Sequence, residues 1–192
     1  MIARVFFIMT LLLPGVNVKA ADAKEAAQTT AKEGEAKDGK NGASVRADRY
    51  VHSWIAFPSF RATSLDRREI ATIAPKEGRV TVLVFLASWC VPCQQQIHEF
   101  KRIETKYRDR FTDFVYIFAH DTENDARGFS NVYKIDKNGM MASANVLEAF
   151  HQPELPSFYV ADRYKWLVLR RINTQKQDLD ELDSFLSLHT AL

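Results

Sequence analysis

The chain has 192 residues, of which 46% are hydrophobic, including 13 Phe and 3 Trp, so one domain with a well-filled core is within reach. Gly is scarce at 7 and no Gly-x-Gly-x-x-Gly or Walker-type string occurs, which argues against a Gly-rich barrel or a phosphate-cradling loop. The charge is nearly balanced, with 26 basic and 24 acidic side chains. This gives no support to nucleic-acid or anionic-lipid binding.

Residues 1–20 read as a signal peptide. Arg4 supplies the positive start, residues 5–13 form a short apolar run, and Val18-Lys19-Ala20 has small residues where a signal peptidase reads. An uncleaved anchor is the alternative, but the apolar run is well short of the ~20 residues that span a bilayer. Arg4 and Lys19 lie in this segment and no acidic residue does, so the remainder carries 24 charges of each sign. Residues 21–47 are rich in Ala, Lys, Glu, Gly and Thr and contain no aromatic residue, and they read as a flexible linker. The folded domain is expected over 48–192.

Within it, 50–60 is aromatic-rich with Pro58 and reads as a short edge strand and a turn. Residues 64–73 read as irregular or a short helix, leading to a turn at Lys76-Glu77-Gly78. The run 80–87 is apolar and rich in β-branched residues, the pattern of a central parallel strand covered on both faces. A helix should follow from about Val91, with Pro92 in its first turn. Ile97, Phe100, Ile103 and Tyr107 give it one apolar stripe. Residues 114–119 read as a second strand. Thr122 with Asp125 should cap a helix running toward Val132. Asn138-Gly139 marks a turn, 142–150 a helix, and 151–156 a loop with two prolines. Residues 157–161 and 166–171 form an expected hairpin around Asp162-Arg163-Tyr164-Lys165. Leu179, Leu182, Phe185 and Leu186 mark the last amphipathic helix. This order predicts an α/β fold, a central mixed sheet with helices on both faces.

The chain has only two cysteines, Cys90 and Cys93, and they sit where the 80–87 strand turns into a helix. A disulfide across so short a loop stabilises little through chain entropy, so the pair is a poor staple. It is well placed for reactivity. Free N–H groups at a helix start can lower a thiol pKa from ~8.5 into the range ~3.5–7.5. Cys90 is expected to be the exposed attacking thiol and Cys93 the more buried, resolving one. A zinc site is read against, since it needs about four ligands and the five His are scattered. An inert core pair is the other alternative.

Phe85-Leu86-Ala87-Ser88-Trp89-Cys90-Val91-Pro92-Cys93 resembles the active-site segment of thioredoxins, and most of all the TlpA/ResA-like branch of exported thiol–disulfide oxidoreductases. The likeness extends over about 57–188. Leu155-Pro156-Ser157-Phe158-Tyr159-Val160 resembles that family's second landmark, which implies a cis Pro156 facing the cysteines across a substrate groove. Leu155 would then pair its backbone with a bound substrate strand. The resemblance puts Trp89 in the docking surface; simple core packing is its other reading. Two positions depart from the family. Val84 stands where thioredoxins carry a buried Asp, and Gln96 where the TlpA/ResA-like branch usually has Glu. Gln96 occupies the proton-transfer position but cannot titrate, so proton movement at Cys93 would rely on water. His98 replaces a proline and reads as solvated or packed.

The resemblance implies a periplasmic reductant of selected protein disulfides, such as those of cytochrome c apoproteins or copper-site proteins. Its cofactor requirement is none beyond the Cys90–Cys93 pair, and no metal is expected. A membrane thiol-electron transporter is the implied reductant. The alternative function is a copper-binding chaperone or a non-catalytic adaptor on the same fold.

Overall fold

The structure, a computed structural model, describes residues 55–190. The expected signal peptide, the linker and residues 48–54 lie outside the described residues. The elements run β1 (Phe60–Ser64), β2 (Ile70–Ile73), β3 (Val80–Leu86), α1 (Val91–Tyr107), β4 (Thr112–Phe118), α2 (Glu123–Tyr133), a 3-10 turn at Asp136–Asn138, β5 (Gly139–Met141), α3 (Ala144–Ala149), β6 (Ser157–Ala161), β7 (Leu167–Arg171) and α4 (Lys176–His189). The strands form one mixed sheet in the order β2-β1-β5-β4-β3-β6-β7.

β3 is central and every one of its residues is buried, as its unbroken apolar run predicts. It is parallel to β4 and antiparallel to β6, so the sheet is mixed, as expected. The apolar run reports burial on both faces, not the direction of the neighbours. Side chains alternate along the strand. Val82, Val84 and Leu86 pack toward the stripe Ile97, Phe100, Ile103 and Tyr107 of α1, with Leu179, Leu182, Phe185 and Leu186 of α4 in the same cluster. Leu83 and Phe85 face the other side, with Phe57, Phe60 and the α3 residues Val146 and Leu147. There Phe150 lies 5.1 Å from Phe85, 5.5 Å from Phe60 and 4.8 Å from Tyr159, ring centre to ring centre. Helices therefore cover both faces, with three of the four on the α1 side.

Two stretches differ from expectation. Residues 64–73 are neither irregular nor helical; β1 and β2 form a hairpin whose turn is closed by Ser64 N–H to Glu69 O at 2.8 Å. β2 is an edge strand of four half-covered or exposed residues, too short and too little buried to leave an apolar signature. Asn138-Gly139 does end a turn, closed by Asn138 N–H to Ile135 O at 3.1 Å, but it leads into a short strand, β5, that no local pattern announces. Gly139 sits at a close approach: a Cβ there would lie 3.1 Å from Leu65 Cδ1 and 3.3 Å from Ile135 Cγ2, so both side chains would have to shift. The turn at Lys76-Glu77-Gly78 is present, with Gly78 at φ +78°. Of the expected 50–60 strand, the described part has the bridge Ala56 to Trp166, and Phe60 opens β1.

Candidate active site

The strand-to-helix junction places the cysteines. Cys90 is the N-cap of α1, and its sulfur accepts the Cys93 N–H at 3.2 Å. Val91 and Pro92 fill the first turn, where a missing N–H leaves no intrahelical bond unmade. Cys90 and Cys93 are joined in a disulfide, with Cα atoms 5.2 Å apart.

Cys90 was expected to be exposed, and this is corrected: it is 4% exposed against 2% for Cys93. Its side chain turns back over the helix start, so the two sulfurs differ little in burial in this disulfide form. The exposed surface is instead its neighbours. Trp89 is 60% exposed and Val91 57%. Core packing is therefore not what holds Trp89. Its indole N–H donates to His120 O at 3.0 Å, laying the ring beside the disulfide loop.

That bond belongs to a clamp the motif did not reveal. Asp121, just past β4, accepts from Ser88 N at 2.6 Å and Ser88 Oγ at 2.8 Å. It also accepts from Thr122 N at 3.1 Å. Gln94 Nε2 reaches back to Ser88 O at 2.7 Å. Ser88 is thus held from the β4 loop and from α1, and the chain entering Cys90 is held with it. The only sequence signal was an Asp at the C-terminal end of a strand beside the cysteine-bearing one, where α/β folds gather functional loops.

The Leu155–Pro156 peptide is cis, as the resemblance implied. Ser157 is the Cα partner of Phe85, so Pro156 lies at the same end of the sheet as the cysteines. Leu155 packs against the cluster that contains both of them. Pro156 O accepts from Thr174 N at 2.7 Å, and Thr174 O in turn accepts from Gln96 Nε2 at 2.6 Å. Gln96, one helical turn beyond Cys93, therefore ties α1 to the wall that carries Pro156. Gln96 Oε1, Thr174 Oγ1 and Ser157 Oγ are buried without a protein partner. Val84 is fully buried in the same apolar cluster as both sulfurs. His98 is exposed, its ring 5.3 Å from that of Tyr133. Among the described residues no group of three or more His, Cys, Asp or Glu is gathered to hold a metal.

A Cys-x-x-Cys disulfide at a helix start, a cis proline at the same end of the sheet and a mixed sheet beneath both define a thioredoxin-like thiol–disulfide oxidoreductase. The chain belongs to the Redoxin family, whose profile matches residues 55–167. It is 26% identical over 138 residues to the thioredoxin-like protein YneN of Bacillus subtilis, covering 64% of this chain and 77% of that one. It is 22% identical over 135 residues to the thiol-disulfide oxidoreductase ResA of Bacillus anthracis, covering 67% and 73%. A thioredoxin family thiol:disulfide interchange protein from Chlorobium tepidum superposes with a TM-score of 0.62 at 19% identity, over 71% of this chain and 96% of that one. A secreted Mycobacterium tuberculosis disulfide oxidoreductase homologous to E. coli DsbE gives a TM-score of 0.58 at 21% identity, over 67% and 95%.

Proposed function

We propose that this enzyme works outside the cytoplasm, in the periplasm, and reduces disulfides of selected exported proteins. The observation that carries the reading is the Cys90–Cys93 pair at the N-terminus of α1 with cis Pro156 at the same end of the sheet. The 1–20 segment supports export, as does the likeness to the secreted M. tuberculosis disulfide oxidoreductase. Among the described residues no helix is long and apolar enough to cross a membrane.

The reduced enzyme attacks through Cys90. The thiolate displaces one sulfur of the substrate disulfide, forming a Cys90–substrate mixed disulfide and releasing one substrate thiolate. Cys93 then loses its proton and attacks Cys90 Sγ. This closes the disulfide seen here and releases the second substrate thiolate, so two electrons pass from the dithiol to the substrate. The helix N–H groups at the start of α1 stabilise the thiolate. Trp89 and the Leu155 backbone line the docking groove. Neither Val84 nor Gln96 can take the Cys93 proton, so water does. Apoproteins of cytochromes c and copper-site proteins are the substrate class, and a membrane thiol-electron transporter returns the electrons.

Insulin-disulfide reduction tests the reading. Wild type should turn over, Cys90→Ser should be inactive, and Cys93→Ser should accumulate a mixed disulfide at Cys90. Turnover that survives Cys90→Ser would refute it. Thiol-dependent copper binding without turnover would favour the chaperone alternative.

A further inference from the structure

At the end of the sheet opposite the disulfide, β4 has a bare edge. All of Thr112–Phe118 pairs with β3, but β5 pairs only from Tyr116 onward. Residues 112–115 thus have a strand neighbour on one side alone. The outward groups belong to Thr112 and Phe114; Thr112 O already accepts from Arg79 Nη2 at 3.4 Å, so Thr112 N–H and both groups of Phe114 are the template on which an extended segment adds. Beside this edge lies a cavity of about 550 Å³, with Thr72, Ile73 and Ala74 on its far side.

Basic side chains outnumber acidic ones around the cavity. Lys76, Arg79, Lys101, Arg108, Lys134 and Lys137 line it, against the two carboxylates Glu104 and Asp113. Both carboxylates are already engaged. Asp113 takes Arg79 at 2.7 Å and Lys76 at 3.7 Å. Glu104 takes Lys101 at 2.6 Å, Arg108 at 3.8 Å, the Tyr116 hydroxyl at 2.9 Å and Asn138 Nδ2 at 3.0 Å. Lys134 and Lys137 are exposed and form no ion pair among the described side chains. Six cations against two anions leave a net positive rim around a strand edge.

We propose that this groove is a second docking site, which takes an extended acidic polypeptide segment as an added strand on residues 112–115 of β4. Charge alone would suit any polyanion; the unpaired edge is what selects a peptide backbone. Apolar side chains alternating with acidic ones would rest on Phe114 and Ile135, which share one face of the sheet, while the acidic ones meet the basic rim. Seven residues of β3 separate this groove from the cysteines, about 20 Å. A bound segment would therefore leave the disulfide open and tether a partner while its cysteines are processed elsewhere.

The test is fluorescence anisotropy on the oxidised full-length protein with a labelled peptide of alternating Glu and Val. A twin peptide of equal charge, N-methylated at alternate residues, cannot complete a strand ladder. The parent should bind saturably, more weakly as salt rises. The twin should bind about tenfold more weakly or worse, a change of about 1.4 kcal/mol. The Lys134→Glu/Lys137→Glu protein should lose binding to a similar degree, with exchange against a small-molecule disulfide unchanged. No saturable binding, equal binding of parent and twin, or binding untouched by the double substitution would each overturn the site. Exchange is read separately, so failure here leaves the disulfide chemistry standing.

Discussion

Replacing Gln96 by Glu puts a carboxyl where the amide now donates. Gln96 Nε2 gives a 2.6 Å bond to Thr174 O, and Thr174 N holds Pro156 O at 2.7 Å. An ionised carboxylate would set acceptor against acceptor at that point, whereas a protonated carboxyl keeps the bond by donating its O–H. The folded state therefore favours the protonated form. Losing a buried hydrogen bond costs about 1–3 kcal/mol. At 1.36 kcal/mol per pKa unit this lifts the introduced carboxyl from ~4.3 to about 5–6.5. The sign follows: the folded pKa is raised, so Gln96→Glu should match wild type below about pH 4 and lose stability as pH rises through that window. By pH 8 the deficit should be about 1–3 kcal/mol, read by urea unfolding of the oxidised protein at both pH values. In the reduced enzyme the same carboxyl can take the Cys93 proton. Stopped-flow resolution of the mixed disulfide should then gain a step in its pH profile over that window. Equal stability at both pH values, together with an unchanged profile, would refute the claim that Gln96 holds Thr174 and sits on the proton route.

Other outcomes follow from the same contacts. Asp121→Ala removes the acceptor for Ser88 N, Ser88 Oγ and Thr122 N and should cost about 2–4 kcal/mol in urea unfolding, with Asp121→Asn recovering part of it. Trp89→Ala should slow reduction of protein disulfides while barely changing exchange with a small disulfide, because its 60% exposed ring is a docking surface. Glu104→Ala strips the buried partner from Lys101, Tyr116 and Asn138 and should cost about 3–5 kcal/mol; Glu104→Gln should cost less, since an amide oxygen still accepts the Tyr116 hydroxyl. Burial pushes the Asp183 carboxyl up, but bonds from Lys106, Tyr107 and Arg102 outweigh it and lower the pKa to about 2. The stability this supplies is present above pH ~4 and lost as pH falls toward 2, about 1 kcal/mol after solvent screening, and Asp183→Asn should flatten that limb of the acid-unfolding curve.

The legible parts of the fold were those whose signal is local and strongly apolar. The buried run of β3 and the 3–4 spacing of Ile97, Phe100, Ile103 and Tyr107 state their own structure, because a face repeated against a core must match the period of its backbone. Thr122 capping α2 was legible for the same reason, since donor and acceptor lie three residues apart. The β1–β2 hairpin and β5 were not. Their strands have three to five residues, and their partners are what make them strands.

By itself the sequence determined the reactive pair: two cysteines three apart where a buried strand meets a helix, and no other thiol for either to meet. With the resemblance, it also identified the cis proline. Only the tertiary structure decided how those parts are held. Asp121 reaches Ser88 across 33 residues and Gln96 reaches Thr174 across 78. It also decided that Cys90 is nearly as buried as Cys93, and that β4 keeps a bare edge below β5. Each of these is a contact between segments far apart in the chain, and no periodicity or spacing records which distant group a side chain will meet.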